Sequence, residues 1–310
     1  MVENLDIERP ARRSRAGRSI SKFSLTTLAG LEKKQKLWYR NTMDNYICIT
    51  CGNEYTATES PPPACPTCED ERQYVRPEGQ AWTTLGEMAP GSRNRVKPLE
   101  PGLTQIVTDP KFAIGQRALL VQTQGGSVLW DCLSLVDPDT IAAVEDLGGI
   151  SALAMSHPHM FGSMVEWSRA FGNAPIYLHA SYKEWVRRPD PVIRFWDGDR
   201  LDLEEGVSLH RCGGHFKGST VLLWPEGADG RGALLTSDTL HVTPDRRHVG
   251  FMYSFPNYIP LSPAAVDAVV GRVMPLEFDR VYSHFNNLEI LSGAKEAIRR
   301  SAERHKRAVQ

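Results

Sequence analysis

The stretch Ile150-Ser-Ala-Leu-Ala-Met155-Ser156-His157-Pro158-His159-Met160-Phe161-Gly162 decides the reading of this chain. Residues 150–155 are a short, almost unbroken apolar run, as expected of a strand buried on both faces. That strand runs directly into a serine and two histidines one residue apart. Upstream, 117–123 and 127–132 read as apolar strands on either side of Gly125-Gly126, a hairpin signal, and 139–147 as a helix. Downstream, helical spacing at 162–172 gives way to a strand at 175–178 and a short helix at 181–187. Strands follow at 207–211, 220–224 and 233–236. Then come a helix at 263–273, a short strand at 281–282 and a charged amphipathic helix at 292–309. A β-rich first part followed by alternating strand and helix predicts an α+β protein, with helices packed outside sheets.

The chain has 310 residues, enough for one large domain and a small appendage, and 41% of them are hydrophobic, enough for a sizeable core. Its formal net charge of −1 gives no argument for a nucleic-acid or anionic-membrane partner. No run of about 18 apolar residues marks a spanning helix. The first 20 residues lack the apolar core of a secretory signal. Four organisational segments are expected: a basic, partly disordered extension over 1–43, a cysteine knuckle over 44–75, a Pro- and Gly-rich connector over 76–104, and the main domain over 105–310. Spacing at 25–38 is helical, but a solvated extension is the simpler reading.

Four of the six cysteines form two pairs, Cys48-x-x-Cys51 and Cys65-x-x-Cys68, separated by 13 residues. Each pair lets two thiolates from one tight turn face the same point, and two such turns complete the tetrahedron that zinc or iron accepts from sulfur. This use of cysteine also fits a reducing, cytoplasmic setting. Cys132 and Cys212 read as small buried hydrophobes. The segment Tyr46-x-Cys48-x-x-Cys51-Gly52-x-x-Tyr55 followed by Cys65-Pro66-x-Cys68 resembles rubredoxin and the zinc ribbons, departing from rubredoxin at Glu69. A closed, structural zinc site is expected, with an electron-carrying iron site as the alternative.

A second group of ligand-type residues follows the buried strand. His157 and His159 lead it. His215 lies in Gly213-Gly-His-Phe-Lys-Gly-Ser219, Asp238 in Thr236-Ser-Asp-Thr239, and His284 in Tyr282-Ser-His-Phe285. Imidazoles and a carboxylate suit zinc, iron or manganese. The remaining histidines, His179, His210, His241, His248 and His305, read as ordinary polar or core residues. With Asp131 at a strand end, the order and flanks of these five motifs resemble the metallo-β-lactamase superfamily over about residues 105–290. The resemblance implies a four-layer αββα sandwich with metal at one rim. One departure stands out: the superfamily's Asp-His pair falls at Phe161 and Gly162, which cannot ligate. A mononuclear centre of His157, His159, His215 and Asp238 is therefore expected, holding zinc or iron, with His284 left without its usual companions.

For function, the resemblance and an open His-rich site imply a metal-dependent hydrolase of a small ester, thioester, lactone or amide. Asp238 would ligate metal or hold water, and His284 would act as acid–base or bind substrate. The alternatives are a mononuclear iron oxidoreductase like the persulfide dioxygenases, on His157, His215 and Asp238, and a non-catalytic metal-stabilised binding protein. The expected partner is a small-molecule substrate, with no nucleic acid and no membrane, and a homodimer is compatible. Trp167, Trp185, Trp196, Phe251, Tyr253, Phe255 and Tyr258 are candidates for an apolar pocket, with core packing as the equal alternative.

Overall fold

In a computed structural model of the chain, residues 43–203 and 205–310 are described. The extension expected over 1–43 lies outside them, apart from Met43. The cysteine knuckle opens the described chain: β1 (Ile47–Cys48) pairs antiparallel with β2 (Trp82–Thr83), so the knuckle closes on residues well past its last cysteine.

Seven strands form the first sheet in sequence order: β3 (Arg93–Glu100), β4 (Leu103–Asp109), β5 (Arg117–Thr123), β6 (Gly126–Trp130), β7 (Ala152–Ala154), β8 (Ile176–His179) and β9 (Ile193–Trp196). β3 to β6 are antiparallel, and β6 to β9 run parallel. The predicted hairpin is present, with Thr123 facing Gly126. Within the stretch read as a connector, the structure instead builds β3, an eight-residue edge strand. Its alternation is masked because Arg93, Arg95, Lys97 and Pro98 face solvent, residues that keep an open sheet edge from pairing with another chain.

The second sheet has the order β10 (Arg200–Asp202), β11 (Ser208–Arg211), β12 (Thr220–Trp224), β13 (Ala233–Leu235), then β18 (Arg280–Tyr282) and β19 (Glu289–Ile290). Between β13 and β18 lie two short pairs, β14 (His241–Val242) with β15 (Val249–Gly250), and β16 (Met252–Ser254) with β17 (Ile259–Pro260).

Alternation along the strands sorts the core into layers. Val128, Trp130, Ala152 and Ala154 of the first sheet meet Leu209, Leu222, Ala233 and Leu235 of the second. Their neighbours Leu129 and Leu153 point the other way, onto α1 (Pro138–Asp146) and α2 (Met164–Ala170). Val221, Leu234 and Val281 point outward onto α3 (Pro263–Val273) and α4 (Ala294–Ala308). The result is the expected αββα sandwich. The predicted helices at 139–147, 263–273 and 292–309 each appear within a residue or two. α1 and α3 begin on the side-chain caps of Asp137 and Ser262 and carry proline in the first turn. Among the described residues no helix is long and apolar enough to cross a membrane.

The knuckle belongs to the same compact unit as the sandwich. Asn53 Nδ2 donates to Pro158 O at 3.0 Å, Glu54 N to Gly162 O at 3.1 Å, and Ser134 Oγ to Gly52 O at 2.7 Å. The first two of these bonds end on the loop that follows β7, and the third ends on the stretch that follows β6.

Candidate metal centres

The four knuckle cysteines are fully or almost fully buried and unpaired by disulfides. Their sulfurs lie within 4.8 Å of one another, with Cys48 to Cys68 and Cys51 to Cys65 at 3.6 Å. A tetrahedron with metal–sulfur bonds of about 2.3 Å has edges of about 3.8 Å, whereas a disulfide bond is about 2.0 Å. The spacing fits a closed four-thiolate metal site. Tyr55 Oη donates to Cys65 Sγ at 3.0 Å and packs edge-on against Trp82.

The second group forms where strands end. β7 stops at Ala154, ahead of His157; β13 stops at Leu235, ahead of Asp238; β18 stops at Tyr282, ahead of His284. β7 lies in one sheet and the other two in the second, so the end of the sandwich gathers all three. His215 arrives on the loop between β11 and β12. That loop is closed by Cys212 N donating to Ser219 O and Phe216 N to Ser219 Oγ, at 2.7 and 2.8 Å. Gly214 sits at φ 83° where a Cβ would fall 2.9 Å from Val269 and 3.0 Å from Leu261, so the approach of this loop to α3 requires glycine.

His157, His159, His215 and Asp238 are all buried, and one ligand atom from each lies within 4.8 Å of the others. The Nε2 atoms of the three histidines have no hydrogen-bond partner although buried. Unpaired buried polar atoms are costly, and convergent ones form a donor set suited to a metal ion. The outer nitrogens are tied down. His157 Nδ1 is 2.9 Å from Ser156 Oγ, and His215 Nδ1 donates to Met252 O at 3.2 Å, which leaves Nε2 of His215 as a free lone pair. Behind them Asp131, in a left-handed conformation at φ 60°, accepts from Ser156 N at 2.8 Å. Burial pushes its carboxyl up to about 6. Burial holds His215 down at about 4 and keeps His159 well below the usual range. Burial alone would raise the Asp238 carboxyl, but His284 and His157 beside it hold it well below its ordinary value. Burial thus leaves His159 and His215 as neutral imidazoles beside a carboxylate, the protonation a divalent metal requires.

Asp238 faces two ways. Its Oδ2 lies 3.2 Å from His157 Nε2 and 3.8 Å from His215 Nε2. Its Oδ1 lies 3.1 Å from His284 Nε2 and 3.9 Å from His241 Nδ1. His241 was read from sequence as an ordinary histidine; the structure places it with Asp238 and His284 in a third group of metal-ligand type. The signal available in the sequence was its position three residues after Asp238, just beyond the same strand. His179, His210, His248 and His305 stay apart. They bond Ser181, Ser208, Asp245 and Leu261 O respectively.

Position 161–162 also has a physical explanation. Phe161 is buried against Tyr182 in the outer core. Gly162 sits at φ 50°, and a Cβ there would lie 2.7 Å from the backbone carbon and oxygen of Leu133. No ligand side chain fits at 162 in this packing. Of the aromatic candidates, Trp167, Trp196 and Phe251 are core residues and Tyr258 is exposed. Phe255 is at the site, its ring 4.8 Å from that of His241 and 5.8 Å from that of His215. Trp185 packs on Phe216, over which the Arg72 guanidinium lies at 3.9 Å, oriented by Asp70.

No family model matches the chain. The structures of VMB-1 (13% identical, 70% of this chain and 99% of that one, TM-score 0.53) and of the DIM-1 metallo-beta-lactamase (14% identical, 70% and 99%, TM-score 0.51) are similar. At such identities the likeness concerns the fold: this is a protein of the metallo-β-lactamase fold, carrying an N-terminal four-cysteine knuckle. The chain is 48% identical over 269 residues to the uncharacterized protein YmaE of Bacillus subtilis (strain 168), spanning 86% of this chain and 97% of that protein, and it belongs to the same family.

Proposed function

We propose that the protein is a metal-dependent hydrolase of a small ester, thioester, lactone or amide. The observation that carries this reading is the convergence of three buried, unpartnered Nε2 atoms, from His157, His159 and His215, on one oxygen face of Asp238. A zinc ion held by such a set, with a position left open, lowers the pKa of bound water to about 7 and polarises a carbonyl. The chain's own contribution is to fix the ligands. Ser156, held by Asp131, and Met252 O orient the imidazoles of His157 and His215, and burial keeps His215 neutral. Phe216 and Phe255 surround them with apolar surface, which keeps the dielectric low and strengthens charge interactions. The proposed metal at the cysteine knuckle is zinc in a structural role.

The test is metal analysis of the purified full chain together with hydrolysis of chromogenic esters, thioesters, lactones and anilides. His157→Ala is expected to lose the metal of the histidine centre and at least a hundredfold in kcat/KM while keeping the knuckle metal. Hydrolysis undiminished in that variant would overturn the reading. Oxygen consumption with a persulfide by an iron-loaded sample, without hydrolysis, would replace it with the oxidoreductase reading.

A further inference from the structure

We infer that Arg72, four residues beyond the last knuckle cysteine, is the substrate-binding cation of the histidine centre, and that the substrate carries a carboxylate several bonds from its scissile group. The inference rests on the hydrolase reading for the reaction and adds the class of substrate. The Arg72 guanidinium lies 3.9 Å over the Phe216 ring, with the rings of Trp185 and Tyr253 at 5.5 and 5.2 Å. Phe216 also packs on the histidines, its ring 5.0 Å from those of His159 and His215 and 5.5 Å from that of His157. One aromatic ring therefore joins the cation to all three imidazoles. The histidines are buried, whereas the Arg72 side chain keeps 15% of its surface exposed and Trp185, Tyr253 and Phe255 are half-buried. Around the buried imidazoles, these half-buried side chains are the surface a substrate can touch.

The guanidinium is oriented in advance. Asp70 accepts from its Nε at 2.6 Å and its Nη2 at 2.8 Å, which occupies one edge of the fork. The other edge, Nη1 with Nη2, is turned towards the histidine loop, where Nη1 has only a long contact of 3.5 Å to His215 O. A free edge of that kind takes a carboxylate through two parallel N–H···O bonds. Asp70 offsets the charge of Arg72, so recognition comes from fork geometry within an aromatic wall and not from long-range attraction. The backbone on either side is tied down as well. Ser254 Oγ donates to Arg72 O at 3.1 Å, and Asn257 Nδ2 donates to Glu71 O and Gln73 O at 2.9 and 3.0 Å. The Glu71 carboxylate is engaged by Tyr253 Oη. Tyr253, Ser254 and Asn257 all belong to the β16–β17 hairpin, whose Met252 O orients His215. One hairpin thus holds both the cation and an imidazole of the metal centre, and little ordering is left to be done when a substrate binds.

The test uses the metal-loaded full chain with the 4-nitrophenyl monoesters of adipic and pimelic acids and the neutral 4-nitrophenyl hexanoate. The wild type should favour at least one monoester over the hexanoate by about tenfold or more in kcat/KM, with the difference residing in KM. Arg72→Gln should abolish that preference, and Arg72→Lys, which keeps the charge without the fork, should lose most of it. The preference is a ratio within one protein, so general damage to the site cancels from it. A melting temperature and a metal content like those of the wild type show that the variants are folded. No preference in the wild type, or the same preference in both variants, would overturn the inference. Where the esters are not turned over, calorimetric titration with adipate decides instead. Binding weakened about tenfold or more in both variants supports the role of Arg72, and equal affinity or no binding in the wild type overturns it. Arg72-dependent adipate binding without any hydrolysis would sink the hydrolase reading alone, and hydrolysis with a preference indifferent to Arg72 would sink this inference alone.

Discussion

Gly162 shows how one residue can exclude a ligand. Its φ of 50° already disfavours any side chain, and a Cβ would press on the Leu133 carbonyl at 2.7 Å. Gly162→Ala should therefore lower stability by about 2 kcal/mol or more, read from denaturant unfolding. A Phe161→Asp/Gly162→His double variant should unfold more readily still and gain no metal; added metal with unchanged stability would contradict the packing argument. In the sequence Gly162 was legible only as a missing ligand. That the backbone forbids one there depends on Leu133, which is distant in sequence, and no local pattern encodes that contact. His241 was missed for the same kind of reason. A single histidine three residues from an aspartate is common, and only the turn after β13 brings its nitrogen back beside Asp238.

At the level of elements, the turn carrying Cys51 and Asn53 is a brace for the loop after β7. Asn53 Nδ2 donates to the carbonyl of Pro158, the residue between His157 and His159, at 3.0 Å in the interior. Asn53→Leu should leave Pro158 O unsatisfied, at a cost of about 1–3 kcal/mol. It should also weaken metal binding at the histidine centre by about 10- to 100-fold, as loss of ligand-orienting partners does. Competition with a chromogenic chelator measures this, and the knuckle metal should stay. Equal loss from both sites would mean that Asn53 merely supports the fold. The strands were the most legible elements. The runs at 117–123 and 220–224 appear with those bounds because they are apolar and pair at the centre of sheets. β3 was not, because an edge strand carries charge and proline where a central strand carries valine.

For the whole molecule, folding buries histidines that water would protonate. Burial holds His215 at about 4 and His284 at about 3, below the roughly 6.5 of an unfolded histidine. The unfolded chain therefore binds more protons than the folded one across that window. The contribution of these two histidines to the stability of the metal-free protein should be full above about pH 6.5 and be lost as the pH drops through 4 towards 3. Urea unfolding of chelator-treated wild type and His215→Gln at several pH values checks this: the stability difference between them should move in the variant's favour as the pH falls from about 6.5 to about 4, and a pH-independent difference would refute it. By itself the sequence determined the class of fold, the cysteine knuckle and most of the ligand-type residues of the histidine cluster, because alternation, C-x-x-C spacing and strand-end histidines are local signals. The tertiary structure decided how those residues face one another. It turned one carboxylate towards two pairs of imidazoles, brought His241 beside His284, and set the knuckle against the β7 loop. These are distances between residues far apart in the chain, fixed by the packing of two sheets, and no local pattern carries them.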